Sequence, residues 1–160
     1  DSSRPSAATD HTSAVTTGPA AGSLRSLRVL VADDDPELGG AIERILIETG
    51  YDVARVHDGA AALDEIDAVR PDLIVLDYLM PKMCGDEVVE RLKRSPRWTD
   101  IPVLLATTTP IELIGEHRAD GFLVKPFHRT VLLTLVRHLL GQREGSEGSQ
   151  DAANLVRPAR

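Results

Sequence analysis

Apolar and polar positions follow two alternating rhythms from Leu27 onward. Short apolar runs that do not alternate with polar residues read as strands covered on both faces. Such runs are LRVLVA (Leu27 to Ala32), DLIVLD, IPVLLAT and GFLV, with YDVARV as a further strand. Between them, apolar residues recur at helical spacing. PELGGAIERILIETG carries Leu38, Ile42, Ile45 and Leu46 and stops at Gly50, a natural C-terminal cap. Gly39 and Gly40 weaken its start. GAAALDEIDAVR is a second helix ended by Pro71, and GDEVVERLKRS a third with Val88, Val89 and Leu92 on one side. PIELIGEH reads as a short helix interrupted by glycine. The last helix, RTVLLTLVRHLL, turns Leu132, Leu135, Val136 and Leu139 inward. Strict strand–helix alternation predicts an α/β fold, a parallel, doubly wound sheet with helices on both faces. The run Leu73 to Leu76 is the most apolar and is expected at its centre.

Outside this region the pattern fades. Residues 1–23 are rich in Ser, Thr, Ala, Pro and Gly and lack periodicity, which predicts a disordered arm or linker. Residues 141–160 have the same character and read as a flexible polar tail. The folded unit is expected over 24–140. Asp1, not methionine, opens the sequence, which suits a segment cut from something larger.

Composition removes several classes. A formal net charge of −7 repels nucleic-acid phosphates. Cys84 is the only cysteine, so no internal disulfide can form and a reducing, cytoplasmic setting is expected. No apolar run approaches the ~20 residues of a membrane span.

Candidate chemistry lies at the strand tips, because open α/β sheets bind ligands at the carboxyl ends of their strands. Asp33, Asp34 and Asp35 follow the first strand, and Asp77 ends the third. Thr107, Thr108 and Thr109 follow the fourth, and Lys125 the fifth, before Pro126. Clustered carboxylates repel: at roughly 5 Å and an effective dielectric of ~20, a pair costs about 3 kcal/mol. A hard divalent cation such as Mg²⁺ offsets that cost. A nearby lysine and hydroxyl suit phosphoryl oxygens, and a carboxylate in such a setting can act as a nucleophile. Asp35 is expected to cap the helix that Pro36 opens, and Thr108 and Thr109 to be loop and cap residues. Cys84 is expected to be buried or inert, Trp98 to pack locally, and RLKR around Lys93 to be a solvated helix face. The histidines His11, His57, His117, His128 and His138 show no metal spacing and are expected at the surface.

The blocks VLVADDDPE, PDLIVLDYLMPKMCGDEVVERLK, IPVLLATTT and FLVKPF together resemble the signature of the CheY-like response-regulator receiver domain of two-component signalling. That resemblance covers nearly all of Leu27 to Leu140 and implies a (βα)5 flavodoxin-like sheet with strand order 2-1-3-4-5. By motif, Asp77 is implied as phosphoacceptor, receiving phosphate from a histidine kinase or histidine phosphotransfer protein. Asp33, Asp34, Asp77 and the backbone carbonyl of Leu79 are implied as the Mg²⁺ site. Thr107 and Lys125 are implied as phosphoryl contacts, and Thr107 with Phe122 as the switch pair. The Lys125–Pro126 bond resembles one that is usually cis.

Two departures stand out. Between Thr107 and Lys125 the chain is about one helical turn shorter than the family pattern. Pro110 and Gly115 fall there, so a shortened fourth helix is expected, with at most a weak homodimer. Leu79 and Thr109 occupy the positions that tune phosphoryl lifetime in this family, and apolar Leu79 cannot orient a water. Slow phosphate loss is therefore expected. The resemblance implies a phosphorylatable switch, not an enzyme, acting on a downstream protein its sequence does not name. It is either a free-standing regulator or a receiver excised from a hybrid kinase. The alternatives are a phosphorylation-independent interaction module and a Mg²⁺-dependent phosphohydrolase. The hydrolase is disfavoured because Leu79 stands where its general acid belongs, and a dinucleotide site because the first turn is acidic, not glycine-rich.

Overall fold

The computed structural model describes residues 25–141. The expected arm at 1–23 and the tail beyond Gly141 lie outside the described residues. Ten elements alternate along the chain: β1 (Arg28–Ala32), α1 (Pro36–Thr49), β2 (Asp52–Val56), α2 (Gly59–Val69), β3 (Leu73–Asp77), α3 (Gly85–Arg94), β4 (Val103–Thr107), α4 (Ile111–Ile114), β5 (Gly121–Val124) and α5 (Arg129–Gly141). The strands form one parallel sheet in the order β2-β1-β3-β4-β5.

Strand periodicity divides the core in two. Side chains at alternate positions face opposite sides of a sheet. Val29, Val31, Leu73, Val75, Leu104, Ala106 and Leu123 therefore pack with Ile42 and Leu46 of α1 and with the inner face of α5. Leu30, Ala32, Ile74, Leu76, Val103, Leu105 and Phe122 pack on the other side with α2, α3 and Ile114 of α4. Full burial of each such leucine or isoleucine stabilises by about 1.5–3 kcal/mol. β3 and β4 are buried along their whole length, so the apolar Leu73 to Leu76 run is indeed central. The inner face of α5 is wider than its spacing predicts, because Leu133 and Leu140 are buried too.

Local chemistry sets the element ends. Asp35 caps α1 by accepting from Glu37 N at 2.9 Å and Leu38 N at 3.3 Å, as expected for a carboxylate before Pro36. Gly50 ends α1 with φ 106°, a conformation costly for a residue with a Cβ. Asp58 caps α2 through Ala61 N at 2.8 Å. α4 is a single turn of four residues before Gly115, which agrees with the predicted shortening.

Four expectations are corrected. Lys93 is not on a solvated face: its side chain is 9% exposed and its Nζ donates to Thr99 O, Ile101 O and Asp120 Oδ2. Its aliphatic stem is long enough to carry the ammonium under the α3–β4 loop, where those oxygens satisfy it. Trp98 reaches beyond its own loop, its Nε1 donating to Asp67 Oδ1 of α2 at 3.1 Å. Cys84 is exposed and not buried, which leaves only the inert half of its expectation, and it stands before α3 with no side-chain capping bond. His117 is half-buried, because its ring packs edge-on against Phe122 with centroids 4.3 Å apart.

Candidate functional site

The sheet changes its direction of growth between β1 and β3, and the crevice at their carboxyl ends is where such folds bind ligands. Ala32 is in register with Leu76, so Asp33 and Asp77 emerge side by side. On the far side of β3, Asp77 pairs with Ala106 of β4, and Thr107 with Val124 of β5. Neighbouring strand tips thus bring residues from distant parts of the chain to one edge.

Carboxylate oxygens of Asp33, Asp34 and Asp77 lie within 4.8 Å of one another. Asp33 is buried and held in place, its Oδ1 accepting from Asp35 N at 2.9 Å and its own N–H donating to Val56 O. Asp77 is buried, while Asp34 faces solvent. Lys125 bridges the two buried carboxylates, its Nζ 3.2 Å from Asp33 Oδ2 and 3.1 Å from Asp77 Oδ1. Lys125 N donates to Thr107 O at 2.8 Å, which anchors the residue at the tip of β5, and the Lys125–Pro126 bond is cis. Burial pushes the Asp77 carboxyl above the usual aspartate range. Lys125 opposes that shift, and the nearby carboxyls of Asp33 and Asp34 reinforce it.

Three carboxylates and one ammonium leave two formal negative charges at the mouth of the crevice. Hard oxygens, two of them on rigid strand ends and one open to water, suit a divalent cation that keeps part of its hydration shell. This donor set fits Mg²⁺ on its chemistry. The remaining residues named from the motif are Thr107, Phe122 and Leu79. Thr107 is buried, with its Oγ1 accepting from Thr109 N at 2.8 Å. Phe122 is buried against His117. Leu79, two residues past Asp77, turns its side chain outward with 59% exposure.

Close backbone packing holds the tip of β3 from behind. A Cβ on Gly85 would run into Asp77 O and lie 2.9 Å from Leu105 Cδ1, so only glycine fits where α3 begins. Lys82 in the β3–α3 loop also meets Asp58, with Nζ 3.1 Å from Oδ2. Nothing in the apolar pattern pointed to these packing residues. The Asp58-Gly59 pair before an apolar helix was the one visible signal, and it announces a cap.

Comparison with known proteins gives these features a context. The family model of the response regulator receiver domain matches residues 29–137. Response regulator MprA of Mycobacterium bovis is 37% identical over 130 residues, covering 80% of this chain and 56% of that protein. The chain thus spans about half the length of the curated relatives it matches. The signal receiver domain of a signal transduction histidine kinase from Syntrophus aciditrophicus shares 34% identity at a TM-score of 0.70, covering 79% of this chain and 99% of that one. Chemotaxis response regulator CheY4 of Vibrio cholerae shares 30% identity at a TM-score of 0.64, covering 71% and 98%.

Proposed function

The chain belongs to the response regulator receiver domain family of two-component signalling, and from that premise we propose that Asp77 is its phosphoacceptor. Response regulators interact with histidine kinases. The donor here is read as a phosphohistidine on a histidine kinase or a histidine phosphotransfer protein, and the location as cytoplasmic. No helix of the described residues is long and apolar enough to cross a membrane.

One observation carries the reading: a single lysine joins two buried carboxylates from adjacent strand tips, with a third carboxylate open to solvent beside them. Asp77 attacks phosphorus through a carboxylate oxygen, and the bond from phosphorus to the donor nitrogen breaks. Lys125 lies where it can exchange its contact with Asp77 for a phosphoryl oxygen. Asp33, Asp34, Asp77 and the Leu79 carbonyl would hold Mg²⁺. When bound, the ion would supply positive charge opposite the transferring group.

Thr107 follows as the switch hydroxyl. Its Oγ1 gives up the Thr109 amide to donate to the phosphoryl group, and Phe122 takes the space vacated. The result is a changed protein-binding surface near α4 and β5, read by a downstream protein. The chain acts only on itself in this scheme and turns over no substrate. Family membership favours it over the phosphohydrolase.

Incubation with a small phosphodonor and Mg²⁺, followed by intact-mass measurement, tests the proposal. One added phosphoryl group is expected on the wild type, none on Asp77→Asn, and none in the presence of a chelator. An unmodified wild type under those conditions overturns the reading in favour of a phosphorylation-independent module.

A further inference from the structure

The β3–α3 loop is pinned at both ends. Gly85 N donates to Tyr78 O at 2.8 Å, closing the loop on itself. Gly59, at the start of α2, packs so tightly on it that a Cβ there would lie 2.8 Å from Met83 O. Between these points Lys82 stands in the left-handed region with φ 66°. A residue with a Cβ avoids that conformation unless its surroundings impose it, and such residues gather at functional loops. Met83 N donates to Pro81 O at 2.7 Å and closes the turn centred on Lys82, and Asp58 ties that turn to α2. Asp58 Oδ2 accepts from Lys82 Nζ at 3.1 Å while its Oδ1 caps α2 at Ala61 N, so an unfavourable backbone position is tied to a fixed helix end.

Three residues before Lys82 lies Leu79, whose carbonyl completes the proposed Mg²⁺ site. We propose that Lys82, clipped to Asp58, is a positioning residue for the Mg²⁺ site: it holds the loop in the shape that presents the Leu79 carbonyl beside Asp33, Asp34 and Asp77. This inference rests on reading the acidic cluster as a Mg²⁺ site.

Charge and positioning act with opposite signs here, which makes the proposal sharp. An ammonium near a cation site repels the cation, so removing it for charge alone tightens Mg²⁺ binding. Loss of loop shape weakens binding, because Mg²⁺ tolerates little departure from octahedral geometry. The Lys82 side chain is 70% exposed, so the pair contributes little to global stability, and its effect on geometry is separable.

Calorimetric titration with Mg²⁺ of the wild type, Lys82→Met, Lys82→Arg, Asp58→Ser and Asp34→Asn decides the matter, with melting curves in chelator run beside it. Serine at 58 keeps a capping oxygen for α2 but cannot reach Lys82. The expected result is about tenfold weaker Mg²⁺ binding in Lys82→Met and in Asp58→Ser, the lower range for groups that orient metal ligands. Lys82→Arg keeps most of the affinity, and a variant combining Lys82→Met with Asp58→Ser loses no more than either single one. Unchanged or tighter binding in Lys82→Met, with wild-type binding intact and lost in Asp34→Asn, overturns the role of Lys82 alone. A lowered melting point with an unchanged dissociation constant shows a purely structural pair and overturns it as well. A wild type that binds no Mg²⁺, or an Asp34→Asn variant that binds as well as wild type, overturns the site reading and this inference with it.

Discussion

Replacing Lys125 by methionine keeps most of the aliphatic stem and removes one charge from between two carboxylates. The ammonium lies 3.2 Å from Asp33 and 3.1 Å from Asp77, with side-chain exposures of 11% for Lys125, 2% for Asp33 and 11% for Asp77. At an effective dielectric of ~20 each contact carries about 5 kcal/mol of raw attraction, much of it offset by desolvation of the ions. Removing one side of such a pair typically costs about 3–5 kcal/mol. Lys125 opposes the upward shift of the Asp77 carboxyl, so its removal favours proton uptake there, which offsets part of the cost and points to the lower end. For a domain of about 100 residues, 3 kcal/mol corresponds to a fall in Tm of about 12 °C. Under the proposed Mg²⁺ site, a bound ion would replace the missing positive charge and favour the folded chain, so its stabilising increment should be larger in the variant than in wild type. Thermal melts by circular dichroism, in chelator and in millimolar Mg²⁺, read both quantities. A fall of less than about 3 °C in chelator, or a Mg²⁺ increment no larger than that of wild type, refutes the electrostatic account of the site.

Other consequences are equally open to measurement. The folded-state pKa of Asp77 is raised above its usual 3.8, so between those two values the folded chain binds more protons than the unfolded one. Without Mg²⁺, stability relative to Asp77→Asn therefore falls as pH rises through that window, and parallel denaturant titrations at stepped pH check the sign. Gly85→Ala drives a Cβ into Asp77 O and should cost about 1–3 kcal/mol by urea unfolding, with phosphorylation impaired; an unchanged midpoint contradicts the packing. Leu79→Asn places a group that can orient water at the mouth of the site and should speed loss of phosphate from Asp77. An unchanged decay rate, followed by intact mass, removes the basis for a long phosphoryl lifetime.

The strands were legible because β1, β3 and β4 are buried on both faces, and a run such as Leu73 to Leu76 leaves little room for another interpretation. Helix limits were legible where a residue has one strong local role, as at Asp35, Pro36 and Gly50. Strand-tip polarity drew attention to Asp33, Asp34, Asp77 and Lys125 because topology alone gathers such tips at one edge. What escaped depends on long side chains meeting partners far away in sequence. Lys93 sits in a charged run, yet its stem carries the ammonium inward to Asp120, 27 residues on. His117 looked like any loop histidine, and only the fold sets it against Phe122 with its Nδ1 buried and lacking a hydrogen bond. Lys82 gave no local hint, since its partner Asp58 lies 24 residues earlier.

The one-turn α4 bears on how the domain breathes. Four residues are too few to satisfy their own amide groups within the helix, and only Ile114 is buried while Leu113 is 75% exposed. Opening this segment sacrifices little apolar contact, so deuterium should enter its amides long before those of β3 and β4. The sandwich is then mechanically lopsided: the layer built from α1 and α5 is a stiff backplate, and the single turn of α4 that links β4 to β5 is the compliant side.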